Sequence, residues 1–357
     1  MIFYIILFIL ITYSTLKYNT NKVGIFWIVF LCFLSVFRAE SVGTDTANYI
    51  NIVLSIDKNL DNQIISFGDN FEIGRNLELI YKGFMLFLRE NDISPRYINV
   101  FFSIVIFLFL ILIFKRIKSS YSIGILIFAL LFYLMSFNIS RQICSSCIVL
   151  YAYTFLFEES RKKYLFFIFI IIASTFHISA FLYVIGYLVR YIKTEWFDKT
   201  ILAFITLIFY LLIQLFPNFF LELITNVASY NEIYEYDVTY SKSNLDGLLF
   251  NFFYFLAYWM IFIRYSNQKL DKYDFIFYSL IIFIGIIQIL DSISSRIFIS
   301  IQFLQILYIM RLYKYKKMNI KDFVFIYYIL INLFTTMYSL SFNNYGVVPY
   351  KIDFYFN

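Results

Sequence analysis

Long apolar runs broken by short polar intervals repeat along this chain. The runs fall at roughly 2–16, 23–37, 97–114, 121–139, 143–157, 164–176, 178–192, 200–216, 247–263, 273–290, 297–311 and 323–341. About 20 apolar residues are needed to cross a hydrocarbon layer of about 30 Å. The shorter runs must therefore borrow flanking residues, or lie beside thinned bilayer or a polar cavity. The pattern predicts an all-α, polytopic integral membrane protein with about 12 transmembrane helices. One stretch, 164–192, reads either as a single long helix or as a hairpin turning at Thr175–Ser179.

The polar intervals decide between those readings. Lys and Arg prefer short cytoplasmic loops. With the hairpin, and with the N-terminus outside, most of the 29 Lys and Arg residues gather on one face, in KYNTNK (17–22), KRIKSS (115–120), EESRKK (158–163) and the later basic breaks. A single span at 164–192 would put the later basic loops on the wrong side. Composition agrees with a membrane chain: 62% hydrophobic and 23% aromatic, where soluble domains are about half apolar. The net charge of +6 therefore reads as a topology signal rather than a nucleic-acid surface. The N-terminal MIFYIILFIL has neither a basic leader nor a small-residue cleavage site, and reads as a retained first helix. Residues 1–357 form one membrane domain with two long extracytoplasmic segments, 38–96 and 217–246.

This topology gathers Arg38, Glu40, Asp45, Arg141, His177, Asp291 and Arg296 on the outer side. Charge at membrane depth is costly, about 2.5–3.5 kcal/mol for Arg at a helix centre, so each such residue is a functional-site candidate. The first outer segment opens with GTDTANY (43–49). Thr44 is a candidate N-cap, with Asp45 in the first turn and Gly43 permitting a tight entry. Asp69 and Glu72 have capping-box spacing for an amphipathic interfacial helix. Its charged face holds Arg75, Glu78, Lys82 and Arg89, and its apolar face Leu77, Ile80, Tyr81, Phe84, Phe87 and Leu88. The second outer segment interleaves Tyr230, Tyr234, Tyr236 and Tyr240 with Glu232, Glu235 and Asp237. Rings beside carboxylates suit sugars, and equally suit an interfacial aromatic belt. Glu235 and Asp237 also have the spacing some sugar-nucleotide transferases use for a divalent cation, though nucleotide sugars are cytoplasmic. Cys144 and Cys147 have redox or metal spacing, yet no further Cys or suitable His lies near, and with Ser145 and Ser146 they read as small packing residues.

Four motifs in this order, GTDTANY in the first outer loop, SRQ (140–142) opening a span, FHIS (176–179) and SSRIFIS (294–300), resemble the Wzy-type polysaccharide polymerases, most nearly their EpsG-like branch. The region FEIGRNLEL (71–79) departs from the family in the residue after its glutamate, and Cys144 and Cys147 stand where small Gly and Ala are usual. The resemblance implies a GT-C-like architecture in the bacterial inner (cytoplasmic) membrane, with the active site facing the periplasm or cell exterior. It implies transfer of a growing chain from undecaprenyl diphosphate onto a new lipid-linked repeat unit, with a chain-length regulator as a further partner. A diphosphate leaving group calls for fixed cations, for which Arg141, Arg296 and then Arg38 are the candidates. The attacking hydroxyl calls for a base or an orienting acceptor, for which His177 and Asp45 are the candidates. Glu40, Tyr240 and Asp291 are the candidate sugar contacts. Diphosphate already leaves well, so no metal or cofactor is called for.

Each residue also has a plainer role. Arginines at span ends snorkel, a lone His in a hairpin bonds a backbone carbonyl or orients a neighbour, and Asp45 caps its helix. Gln288, Asp291 and Gln302 line a cavity or pair between helices. Two other activities share the outline. A lipid-linked oligosaccharide flippase would show two related halves and small loops on both sides, unlike the long, asymmetric outer loops here. A glycan ligase, or a transferase using a polyprenyl-phosphate sugar, is not separated from a polymerase by these residues.

Overall fold

A computed structural model describes residues 1–55, 78–157, 162–216, 245–287, 293–315 and 317–354. Among them the structure is helical, with no strand. The helices are α1 (Ile2–Tyr18), α2 (Asn21–Val36), α3 (Thr46–Ser55), α4 (Leu79–Glu90), α5 (Tyr97–Ile117), α6 (Tyr121–Leu131), α7 (Ser140–Phe157), α8 (Tyr164–Ser174), a 3-10 helix at Ile178–Tyr191, α9 (Lys199–Leu215), α10 (Leu245–Tyr265), α11 (Lys272–Ile287), α12 (Ile293–Lys314) and α13 (Phe323–Ser341). By length and composition α5 and α13 can cross a membrane, and several shorter apolar helices accompany them among the described residues. The expected Asp69–Glu72 cap, Gln288 and the tyrosine-acid cluster at 230–240 lie outside the described residues.

Two compact units divide the chain. The first is Met1–Tyr187 with Leu333–Asn357. Its helices start and stop where local chemistry dictates. Asn19 ends α1 in the left-handed conformation, and the Thr20 hydroxyl then caps α2 by accepting from Val23 N–H; a short polar side chain suits both positions. The breaks 17–22 and 115–120 meet at one end of this unit, where Ser120 Oγ donates to Asn19 Oδ1 (2.5 Å) and Ser122 Oγ to the Thr20 carbonyl (2.5 Å). Small residues let helices close. Gly24 of α2 sits against the backbone of Tyr121 and Ser122. Cys144 and Cys147 are fully buried, the Cys144 thiol reaching the Phe102 carbonyl (3.4 Å) and Ser145 Oγ the Ala173 carbonyl (3.0 Å). They serve as packing residues between α7 and its neighbours α5 and α8.

The doubtful stretch is a fold-back. After α8 the chain turns at Thr175–His177, and Tyr187 returns beside Phe166 and Phe167, with ring centroids 6.0 and 4.9 Å apart. Its second limb is a 3-10 helix rather than an α-helix. At about 2.0 Å per residue, its 14 residues reach about 28 Å. Gly186 passes so close to Tyr153 that a Cβ would strike the phenol.

Two other expectations change. The run 121–139 is helical only to Leu131, followed by a turn and a single 3-10 turn at Met135–Phe137. Its backbone N–H groups still bond backbone carbonyls in tight turns, while two carbonyls at its end take side chains: that of Phe137 accepts from Thr46 Oγ1 (3.3 Å) and that of Asn138 from Tyr49 OH (3.1 Å). The amphipathic helix α4 buries Tyr81, Met85 and Leu88, one helical stripe at i, i+4 and i+7, while Phe87 is exposed.

The second unit is Leu188–Asn332. Asp198 caps α9 through Thr200 and Ile201 N–H, and Lys199 Nζ donates to the Ile263 and Ser266 carbonyls at the end of α10. Asp271 and Asp274 organise the turn before α11, taking bonds from Asn267, Arg311 and Tyr308. Gln302 does not stand alone in a cavity, since its amide donates to Tyr254 OH (3.1 Å), which lies 2.9 Å from Tyr258 OH.

Candidate active site

One end of the first unit collects the C-terminus of α2, the loop to α3, the N-termini of α4, α5 and α7, the C-terminus of α8 and the chain's tail. The end holding the breaks 17–22 and 115–120 is the other one. Arg38, Glu40, Asp45, Arg141 and His177 all lie at this collecting end, as the helix directions require.

Arg141 opens α7. Its Nη1 is 2.5 Å from Glu78 Oε2, immediately before α4. The guanidinium carbon lies 4.6 Å from the Tyr81 ring centroid and 5.9 Å from that of Tyr49. Cations over ring faces are held electrostatically as well as by packing. Its Nε is buried and has no hydrogen-bond partner, although the side chain is 27% exposed overall. A guanidinium has five donors in a planar fork, so one monodentate carboxylate leaves this one under-used. Buried donors without partners are rare enough to require a reason.

Arg38 differs in kind. It is 3% exposed, and its nitrogens donate to the Ser35 carbonyl (2.7 Å), Ser35 Oγ and Ser103 Oγ (3.3 Å each), Asn99 Oδ1 (3.2 Å) and Thr46 Oγ1 (3.4 Å). The Phe137 ring covers it at 4.8 Å. Every one of those acceptors is neutral. Burial pushes its pKa down to about 10, which still leaves it charged at neutral pH. The geometry makes Arg38 an internal brace joining α2, α3 and α5, with its fork already filled.

Asp45 is half-buried at the N-terminal boundary of α3, which begins at Thr46, one residue later than a Thr44 cap would give. The preceding Gly43 has φ +95°, the left-handed backbone that glycine permits. Thr44 N–H is held by Asn138 Oδ1 at 2.9 Å. Glu40 is exposed, 3.8 Å from Arg96 Nε. His177 sits at the hairpin turn, half-buried. Its Nδ1 accepts Ser179 N–H (3.3 Å) and lies 2.8 Å from Ser179 Oγ. A neutral ring bonded this way carries its proton on Nε2. The turn is joined to α4 by Ile80 N–H donating to the Thr175 carbonyl (3.1 Å), two residues from each of Glu78 and His177.

In the second unit, Arg296 belongs to the first turn of α12. Tyr240 and Asp291 lie outside the described residues. Among the described residues no three His, Cys, Asp or Glu side chains converge to hold a metal ion.

Sequence reasoning missed Glu78 as the partner of Arg141, and the ring wall of Tyr49 and Tyr81. Tyr49 closes the GTDTANY motif one helical turn after Asp45, a signal that was present. Glu78 had none beyond its place on a charged helix face.

No curated protein and no solved structure matches the chain. The EpsG family model matches residues 21–352, which contain every one of these site residues. The chain therefore belongs to the EpsG family, whose members are like the Wzy-type polysaccharide polymerases.

Proposed function

We propose that the protein is a membrane glycosyltransferase that polymerises lipid-linked oligosaccharide repeat units into O-antigen or capsular polysaccharide. On this reading about 12 spans carry the chain through the bacterial inner membrane, and the end holding Arg141 faces the periplasm or cell exterior. The donor is the growing chain on undecaprenyl diphosphate, and the acceptor is one lipid-linked repeat unit. The observation that carries the reading is Arg141: a charged fork lying against a pair of aromatic rings, tied by one carboxylate, with a buried donor unused. That is what a diphosphate oxygen would complete.

The placement supports the following chemistry. The acceptor hydroxyl gives its proton to Asp45 as its oxygen bonds the anomeric carbon. The bond from that carbon to the diphosphate oxygen breaks, and the leaving group takes the electron pair. Arg141 receives the developing charge, as fixed donors do best where water is excluded. With Nδ1 engaged by Ser179, His177 acts through Nε2–H as a donor to the departing phosphate, and the base role falls to Asp45. Arg38 braces the loop. Arg296 as a second diphosphate ligand, and Glu40, Tyr240 and Asp291 as sugar contacts, rest on the sequence alone. A partner that limits chain length belongs to the same proposal.

Deleting the protein tests the reading against its rivals. A polymerase mutant displays single repeat units at the surface, and re-expression restores the ladder. Abolished surface display would instead indicate a flippase, and long chains left on the carrier lipid a ligase.

A further inference from the structure

Residues 343–354 are laced into this end. After α13, Asn343 turns the backbone in the left-handed region (φ +48°). Its side chain then staples the turn, Nδ2 donating to the Val348 carbonyl and Oδ1 accepting Val348 N–H. Gly346, also left-handed (φ +60°), accepts Gly43 N–H at 3.0 Å. A Cβ at Gly346 would lie 2.9 Å from Thr44 Cγ2 and 3.3 Å from Thr44 N, so glycine suits both the left-handed backbone and the close approach of tail and loop. Tyr350 stacks on Phe3 (4.8 Å) and donates to the Leu34 carbonyl (2.6 Å). Two residues of the tail then pair with the loop in antiparallel fashion, Ala39 N–H to the Lys351 carbonyl and Asp353 N–H to the Phe37 carbonyl, both 2.9 Å. The lace ends on a buried charge: Arg96, at the entry to α5, holds Asp353 Oδ2 at 2.8 Å and reaches the Arg38 carbonyl at 3.5 Å.

We propose that residues 343–354 form a positioning strap for the catalytic loop, with the Arg96–Asp353 pair as its closing contact. The strap touches the loop at Phe37, Ala39, Gly43 and Thr44, on both sides of Glu40 and immediately before Asp45. It fixes the backbone from which Asp45 projects, and its loss acts on turnover. Asp353 lies one residue beyond the family match, which ends at 352, so this assignment comes from the geometry alone. It rests on the polymerase reading for its effect on catalysis, but not for the contact itself.

The test uses the full chain in membranes with two measurements: initial rates of polymer formation from lipid-linked repeat units, and amide hydrogen exchange over 37–46. Asp353→Asn is expected to lower kcat about tenfold with KM for the donor nearly unchanged, and Asp353→Glu to recover most of the rate. The same Asn variant is expected to speed exchange in 37–46 while α5 to α8 keep their protection. Full turnover in Asp353→Asn, or unchanged exchange in 37–46, overturns the strap. Global loss of protection would mark Asp353 as a folding residue and overturn it too. If the unmodified protein makes no polymer, the polymerase reading fails, and the exchange data alone then decide whether the tail holds the loop.

Discussion

Two arginines that look alike as sequence do different work in the fold. Arg38 and Arg141 each stand at the end of an apolar run, and each reads as a diphosphate ligand. Packing separates them: Arg38 has its donors filled by Ser35, Thr46, Asn99 and Ser103, whereas Arg141 keeps a buried Nε in reserve. A single sequence carries no record of that difference, because burial is decided by residues 60 or more positions away, at Asn99 and Ser103. The same holds for Glu78, 63 residues from Arg141. Arg38→Ala should therefore act on stability. It strands several buried acceptors, each costing about 1–3 kcal/mol, so the variant should unfold at markedly lower temperature in detergent. Whatever protein survives should turn over more slowly, with KM for the donor nearly unchanged, because Arg38 braces the loop that carries Asp45. Normal melting with lost turnover would return Arg38 to the substrate.

At the scale of the element the sequence was a good guide, because helix limits are set locally. Asn19 ends α1 through its left-handed backbone and Thr20 begins α2 through its side chain, and the fold-back at Thr175–His177 followed from where the basic breaks had to fall. The 3-10 limb did not follow, since apolar runs of that length carry the same periodicity signal in either helix. Nor did the early end of α6, after which the Phe137 and Asn138 carbonyls accept from Thr46 and Tyr49, side chains 91 and 89 residues away. Close helix contact was legible at Cys144 and Cys147, read as small packing residues, but not at Gly24. A Cβ there would stand 2.5 Å from Ser122 N, and a backbone atom cannot swing aside as a side-chain tip can. Gly24→Ala should push α2 off α6 and cost about 1–3 kcal/mol, read as a lower midpoint of thermal unfolding. An unchanged midpoint would mean the two helices are not packed at this distance.

At the scale of the molecule, chain parity and charge anticipated which residues share an end of the first unit. What they did not anticipate is that the tail pairs with the loop, because Arg96 and Asp353 are 257 residues apart and nothing local marks either one. On the proposed reading this arrangement has a purpose: apolar helices hold a few polar residues at one end, where a lipid diphosphate would arrive from the bilayer without leaving it. Arg141 is the point on which that account turns. Its most direct test is polymer formation in vesicles containing the purified protein and synthetic lipid-linked repeat units, comparing the unmodified chain with Arg141→Lys and Arg141→Ala at equal amounts. Removing a fixed donor from a developing charge costs on the order of 10²–10³ in rate, and Lys lacks the fork that grips two oxygens. Both variants are therefore predicted to leave the repeat units single while the unmodified chain builds a ladder. A full ladder from Arg141→Ala would contradict the account.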